Sequence, residues 1–151
     1  MTRVDNYEIG HQAERRIAAR LTAMGAEDVR LSTTPHGSPD LSFLLNGVRF
    51  LAECKTILGV HGGGRMGVAK VSSTEMQTMD SLSCDGSQIC WKCLIVELRP
   101  KTHSRTPHYL WMHWDLVRGV YARRRPAVMS LTFWWLLRNC LPLERIKEVA
   151  R

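Results

Sequence analysis

Asn46-Gly47 lies between two alternating segments, and no other dipeptide in the chain constrains the fold as tightly. Asn-Gly favours the positive φ angles of a two-residue hairpin turn. Such a turn pairs Leu45 with Val48, Phe43 with Phe50 and Leu41 with Ala52, giving one apolar face that Cys54 extends. Strand alternation sends the remaining residues to the other face. There the register sets Asp40 directly across from Glu53, and Lys55 follows on Glu53's side. Opposed Cβ atoms stand about 5 Å apart. Two carboxylates that close repel unless a proton or a cation lies between them. A hard divalent cation with oxygen ligands fits such a pair. The alternative is a solvated sheet face with an ordinary Glu–Lys pattern, which leaves like charges opposed.

A helix is expected from Tyr7 to about Met24, with Ala13, Ile17, Ala18, Leu21 and Met24 on one stripe and Gly25 as its stop. Glu14 shares that stripe. It is either an edge residue in water or a carboxylate with a partner or a function. A short strand follows over Asp28 to Thr33, then a loop over Thr34 to Pro39. After Lys55 the chain is rich in glycine through Lys70, and reads as a mobile loop carrying His61, Arg65 and Lys70. It lacks the GxxxxGK[ST] pattern of a nucleotide site and suits contact with a backbone phosphate better.

Ser72-Ser-Thr-Glu75 is a capping box, which predicts a helix over Ser73 to Leu82 with Met76 and Met79 inward and Gln77 near its first turn. Ile89 to Leu98 reads as a buried central strand and His108 to Trp114 as another. The rest reads as a helical extension over 115–151, with a helix from Asp115 to Arg125 and a short terminal helix from Leu143 to Ala150. The Trp-rich stretch between them, Phe133 to Leu137, has more apolar residues than one face needs. It covers either the chain's own sheet or a second copy. No repeat or low-complexity linker divides the chain, so a single domain over 1–151 is expected, its core at about 8–114.

Composition narrows the partner. The 151 residues carry 21 Lys and Arg against 14 Asp and Glu, a net charge of +7. Arginine supplies 16 of the 21 cations. Its planar fork suits bidentate contact with phosphate, so the balance favours nucleic acid. No apolar run reaches about 18 residues, and the N-terminal stretch lacks an apolar signal core. A cytoplasmic protein without a membrane partner is therefore expected. In that setting Cys54, Cys84, Cys90, Cys93 and Cys140 are expected as free thiols. The CxxC of Cys90 and Cys93 lies in a strand with no second ligand pair, which favours apolar filling over zinc.

Pro39-Asp40, twelve residues, then Glu53-Cys54-Lys55 resembles the signature of the PD-(D/E)XK nucleases. Gly10 to Arg15 on the first helix, with Glu75-Met-Gln77 on the second, is similar to archaeal Holliday junction resolvases of that superfamily. The resemblance spans about residues 8 to 114 and leaves out the tail. It implies a restriction-endonuclease-like α/β fold, an αβββαβ core with a mixed central sheet flanked by helices. It also implies Mg²⁺-dependent hydrolysis of DNA phosphodiesters, with Mn²⁺ as a substitute. On that basis Asp40, Glu53 and the Cys54 carbonyl hold the metal. Lys55 orients or deprotonates water or meets transition-state charge. Glu14 holds a metal-bound water or a second metal, and Gln77 is accessory. His11, Arg15, Arg16, Arg65 and Lys70 are the candidate phosphate contacts. A symmetric homodimer acting on a four-way junction completes the expectation, beside two alternatives: a restriction or repair nuclease, and a DNA-binding module without catalysis.

Overall fold

The computed structural model describes residues 6–33, 38–58, 67–83, 90–99 and 106–149. Helix α1 (Asn6–Ala23) leads into β1 (Glu27–Leu31), β2 (Leu41–Leu45) and β3 (Val48–Leu58). Then come β4 (Val68–Ser72), α2 (Ser73–Ser81), β5 (Cys90–Arg99) and β6 (His108–His113). The remainder is α3 (Trp114–Arg124), β7 (Val128–Thr132), α4 (Phe133–Asn139), β8 (Leu141–Pro142), a 3-10 turn (Leu143–Arg145) and α5 (Ile146–Val149).

Six strands form one mixed sheet in the order β1-β2-β3-β5-β6-β8. Only β3 and β5 run parallel, joined through β4 and α2. The β2–β3 hairpin has the expected register, with Leu41 opposite Ala52, Phe43 opposite Phe50 and Leu45 opposite Val48. Asn46 and Gly47 both have positive φ, 51° and 78°, which matches the twist of the strands they join. The Phe43 and Phe50 rings stack with centroids 5.0 Å apart.

Alternation along β3 and β5 divides the interior. Phe50, Ala52, Cys93 and Ile95 pack with Ile17 and Leu21 of α1 on one face. Ile57, Leu94, Val96 and Leu98 pack with Met76 and Met79 of α2 and Val117 of α3 on the other. Residues 53 and 55 share parity with Ile57, so the Glu53 and Lys55 side chains leave β3 toward the α2 side.

The α/β architecture with a mixed, helix-flanked sheet is as expected, but two features differ. Val68–Ser72 was expected to fall in a loop through Lys70 and is strand β4 instead. It pairs antiparallel with β7, setting Lys70 opposite Ser130 and Val71 opposite Met129. The tail is therefore not wholly helical, because β7 and β8 both supply strands. Period-two burial explains this: Ala69 and Val71, and across from them Leu131 and Met129, face the core while their neighbours face out. Gly67 permits the close entry of β4, since a Cβ there would stand 2.9 Å from Ile57 Cγ2.

The tail covers the chain's own core through the buried Phe133 and Leu136, while Trp134 and Leu137 remain exposed. Cys54, Cys93 and Cys140 are free thiols. Cys90 departs from expectation and is disulfide-bonded. It begins its strand and is only partly buried, so it is not confined as core filling. Among the described residues no helix is long and apolar enough to cross a membrane.

Candidate active site

A cleft of about 660 Å³ opens where α1, β3, β4 and α2 meet. Glu14, Asp40, Glu53, Cys54, Lys55, Lys70 and Glu75 all line it. Helix α1 ends at Gly25, whose φ of 98° suits glycine and turns the chain into β1. Its buried stripe of Ala13, Ile17 and Leu21 lies on the sheet and brings Glu14 to the cleft edge. There His11 Nδ1 stands 3.0 Å from Glu14 Oε2.

Asp40 lies one residue before β2, where its side-chain oxygen serves a backbone N–H of β3 beyond the last ladder pair. The Cys54 N–H donates to Asp40 Oδ2 at 2.9 Å. The Ser32 N–H donates to the Asp40 carbonyl at 3.0 Å, fixing the backbone beneath. On β3, Lys55 Nζ is 3.4 Å from Glu53 Oε1 and also pairs with Glu75 Oε2. Glu75 enters as the third residue of α2, where it closes the capping box with Ser72. Its Oε1 accepts from the Ser72 N–H at 3.0 Å, and its own N–H donates to Ser72 Oγ at 3.1 Å.

These groups share little solvent, and their protonation shows it. Burial pushes Glu53 up to about 10, reinforced by its hydrogen bond with Glu75 and the charge of Asp40. Burial alone would raise Glu75, yet hydrogen bonding to Glu53 and the Lys55 charge bring it down to about 2. The hydrogen bond between the two glutamates thus drives them apart, Glu53 upward and Glu75 downward. Burial also raises Asp40, against the Cys54 N–H and hydrogen bonding to Glu53. Glu14 is raised by burial and then by Asp40. Burial works against the Lys55 ammonium, but Glu53, Glu75 and Asp40 outweigh it and hold its value up.

Such a donor set fits a hard cation. Its side-chain donors are carboxylates, and it is short of positive charge, so that burial drives Glu53 toward its neutral form where a cation would favour the charged one. Asp40 and Glu53 would hold the ion, with the backbone of Cys54 beside them. Among the described residues no three His, Cys, Asp or Glu side chains already form a metal cage. Waters and backbone oxygen would complete the shell, as is usual for Mg²⁺.

Five of the six catalytic and metal candidates line this cleft: Glu14, Asp40, Glu53, Cys54 and Lys55. Gln77 does not. It is exposed on α2 and is not part of the cleft lining. Glu75 occupies the place expected for it, because two residues along a helix turn a side chain by about 200°. The capping box was the signal for this, since its Glu must reach back toward the helix N-terminus.

Of the phosphate candidates, Lys70 lines the cleft and is exposed, and His11 lines it beside Glu14. Arg15 is exposed on α1. Arg16 is turned to Glu97, to which its Nε and Nη2 each donate at 2.8 Å, while its side chain stays 30% exposed. Arg65, and His61 of the glycine-rich loop, lie outside the described residues.

No protein-family model matches the sequence, and neither does any curated protein. Among solved structures, the fold is similar to that of Hjc from Archaeoglobus fulgidus, a Holliday junction resolvase from an archaeal hyperthermophile. The TM-score is 0.63 at 14% identity, over 94% of this chain and 100% of that one. The chain therefore shares the fold of that resolvase, with its carboxylate cleft where α1, the β2–β3 hairpin and α2 converge.

Proposed function

We propose that this chain is a metal-dependent DNA endonuclease of the PD-(D/E)XK type, acting on four-way junctions as a homodimer. The observation that carries the reading is the convergence of Asp40, Glu53 and Lys55 with Glu14 in one cleft. The likeness to an archaeal resolvase supports the junction as substrate. A two-fold dimer suits a junction whose opposed strands are both cut. The net charge of +7, dominated by arginine, supports a DNA partner.

Bound Mg²⁺ would supply charge neutralisation at the scissile phosphate and a more acidic water. Asp40 and Glu53 would hold it, and its charge would offset the burial that raises Glu53. Lys55 is held as an ammonium by Glu53, Glu75 and Asp40. It therefore serves by meeting negative charge on the phosphate rather than by taking a proton. Glu14, raised in pKa and bonded to His11, is placed to accept a proton from water at the cleft edge. Lys70 and Arg15 would hold flanking phosphates.

The test is cleavage of labelled four-way junction, linear duplex, single strand and flap DNA, each with Mg²⁺ or EDTA, beside Asp40→Ala. Paired symmetric nicks on the junction, dependent on Mg²⁺ and lost in the variant, are the expected result. Cutting of the other substrates alone would remove the junction. Salt-sensitive binding with no cutting in Mg²⁺ or Mn²⁺ would remove the nuclease.

A further inference from the structure

Glu97 is fully buried, yet it does not line the cleft. It stands on β5 with its carboxylate on the α1 side of the sheet, beside Thr56 in the β3–β5 register. Every acceptor position it presents is used. Arg16 donates to it twice, from Nε to Oε2 and from Nη2 to Oε1, both at 2.8 Å. Thr56 Oγ1 donates to Oε1 at 3.0 Å and Tyr109 Oη to Oε2 at 2.9 Å.

Burying a charge this deeply is costly unless it is paired and bonded, and an apolar group would often serve stability as well. The position of its partners offers a reason for keeping it. Arg16 lies two residues after Glu14 on α1. Thr56 is the residue after Lys55 on β3. One carboxylate therefore joins the helix that carries Glu14 to the strand that carries Glu53 and Lys55. A planar fork held by two parallel hydrogen bonds fixes direction as well as distance, which a single ammonium does not. Apolar packing of Ile17 and Leu21 holds α1 on the sheet, but it is non-directional and leaves the helix free to slide.

We propose that the Arg16–Glu97 pair, completed by Thr56 and Tyr109, is a positioning strut that sets Glu14 against the Glu53–Lys55 edge of β3. Neither Arg16 nor Glu97 touches DNA or metal in this role. The inference rests on the nuclease reading of the cleft, and its test separates the two.

The experiment compares the wild-type protein with Arg16→Lys, Tyr109→Phe and Val117→Ala. Arg16→Lys keeps the charge and loses the fork. Val117→Ala loosens the core on the opposite side of the sheet. All are assayed below their melting temperatures, where circular dichroism shows each to be folded. Cleavage is read as kcat at saturating Mg²⁺ and as KM for DNA, and amide hydrogen exchange is read along α1. Expected for Arg16→Lys is a fall in kcat of about tenfold to a hundredfold, the upper figure being that of a misplacement of about 1 Å. KM should stay within twofold, and exchange of the α1 amides around Glu14 should be faster than in Val117→Ala. Tyr109→Phe, which removes one donor to Glu97 and leaves the fork intact, should lose less of kcat than Arg16→Lys. Wild-type kcat in folded Arg16→Lys, or an equal loss in Val117→Ala, would overturn the strut while leaving the nuclease standing. No cleavage by the wild-type protein on any substrate would instead remove the nuclease reading, and the positioning role with it.

Discussion

Glu53→Gln should make the protein more stable, and increasingly so as pH rises. In the folded chain the Glu53 carboxyl is pushed up to about 10 from an ordinary 4.5, chiefly by burial and then by Glu75 and Asp40. Between those two values the folded state holds a proton that the unfolded chain has released. The native state binds more protons, so stability falls as pH rises through this window, by about 1.4 kcal/mol per pH unit. Glu75 acts in the opposite sense but elsewhere. Its lowered value stabilises fully above its ordinary 4.5 and is lost only as pH falls toward about 2. At pH 7 the cost of keeping Glu53 protonated is about 3 kcal/mol, the span from 4.5 to 7 converted at that slope. Glutamine needs no proton and can still donate to Glu75, so it should recover most of this. In a chain of 151 residues, that gain is a rise in melting temperature of roughly 10 °C. The assay is urea denaturation of both proteins in EDTA from pH 5.5 to 9. The two stability curves should diverge with pH, and saturating Mg²⁺ should flatten the wild-type curve as the cation replaces the proton. Parallel curves in EDTA would show Glu53 ionised in the folded protein and would refute the account of a crowded, charge-deficient cleft.

Removing the cation should act the other way. Lys55→Met leaves the Glu53–Glu75 pair without its ammonium and should cost about 3 kcal/mol by denaturant midpoint, more at pH 8 than at pH 5. Ser72→Ala deletes the α2 cap at about 1 kcal/mol and loosens the seat of Glu75, so nuclease activity should fall further than thermal stability suggests. Gln77→Ala should change stability by less than about 0.5 kcal/mol and leave cleavage within twofold, because the side chain is exposed and is not part of the cleft lining. Phe43→Ala removes a fully buried ring stacked on Phe50 and should cost about 3–5 kcal/mol in urea melts.

Local chemistry made much of this protein readable. The Asn46-Gly47 turn fixes its own register, because positive φ at both positions admits one tight connection, and that register runs to Leu41 opposite Ala52, which leaves Asp40 just beyond the ladder beside the part of β3 that carries Glu53 and Lys55. The capping box at Ser72 starts α2 where expected, and the stripe through Ile17 and Leu21 sets Glu14 toward the sheet. Each of these signals involves residues close in sequence, where turn sterics, capping and periodicity act directly.

Other features depended on distance along the chain. Arg16 and Glu97 are 81 positions apart, and nothing near either residue announces the other. The β4–β7 pairing joins a strand that follows the glycine-rich loop to one inside the tail, and each is too short to read alone. Glu75 rather than Gln77 faces the cleft because packing of Met76 and Met79 fixes the rotation of α2. Sequence determined which local elements form and which hairpin residues face one another. Only tertiary packing decided which helix face meets the cleft and which buried charges find partners, because those depend on contacts that exist only once the chain has closed.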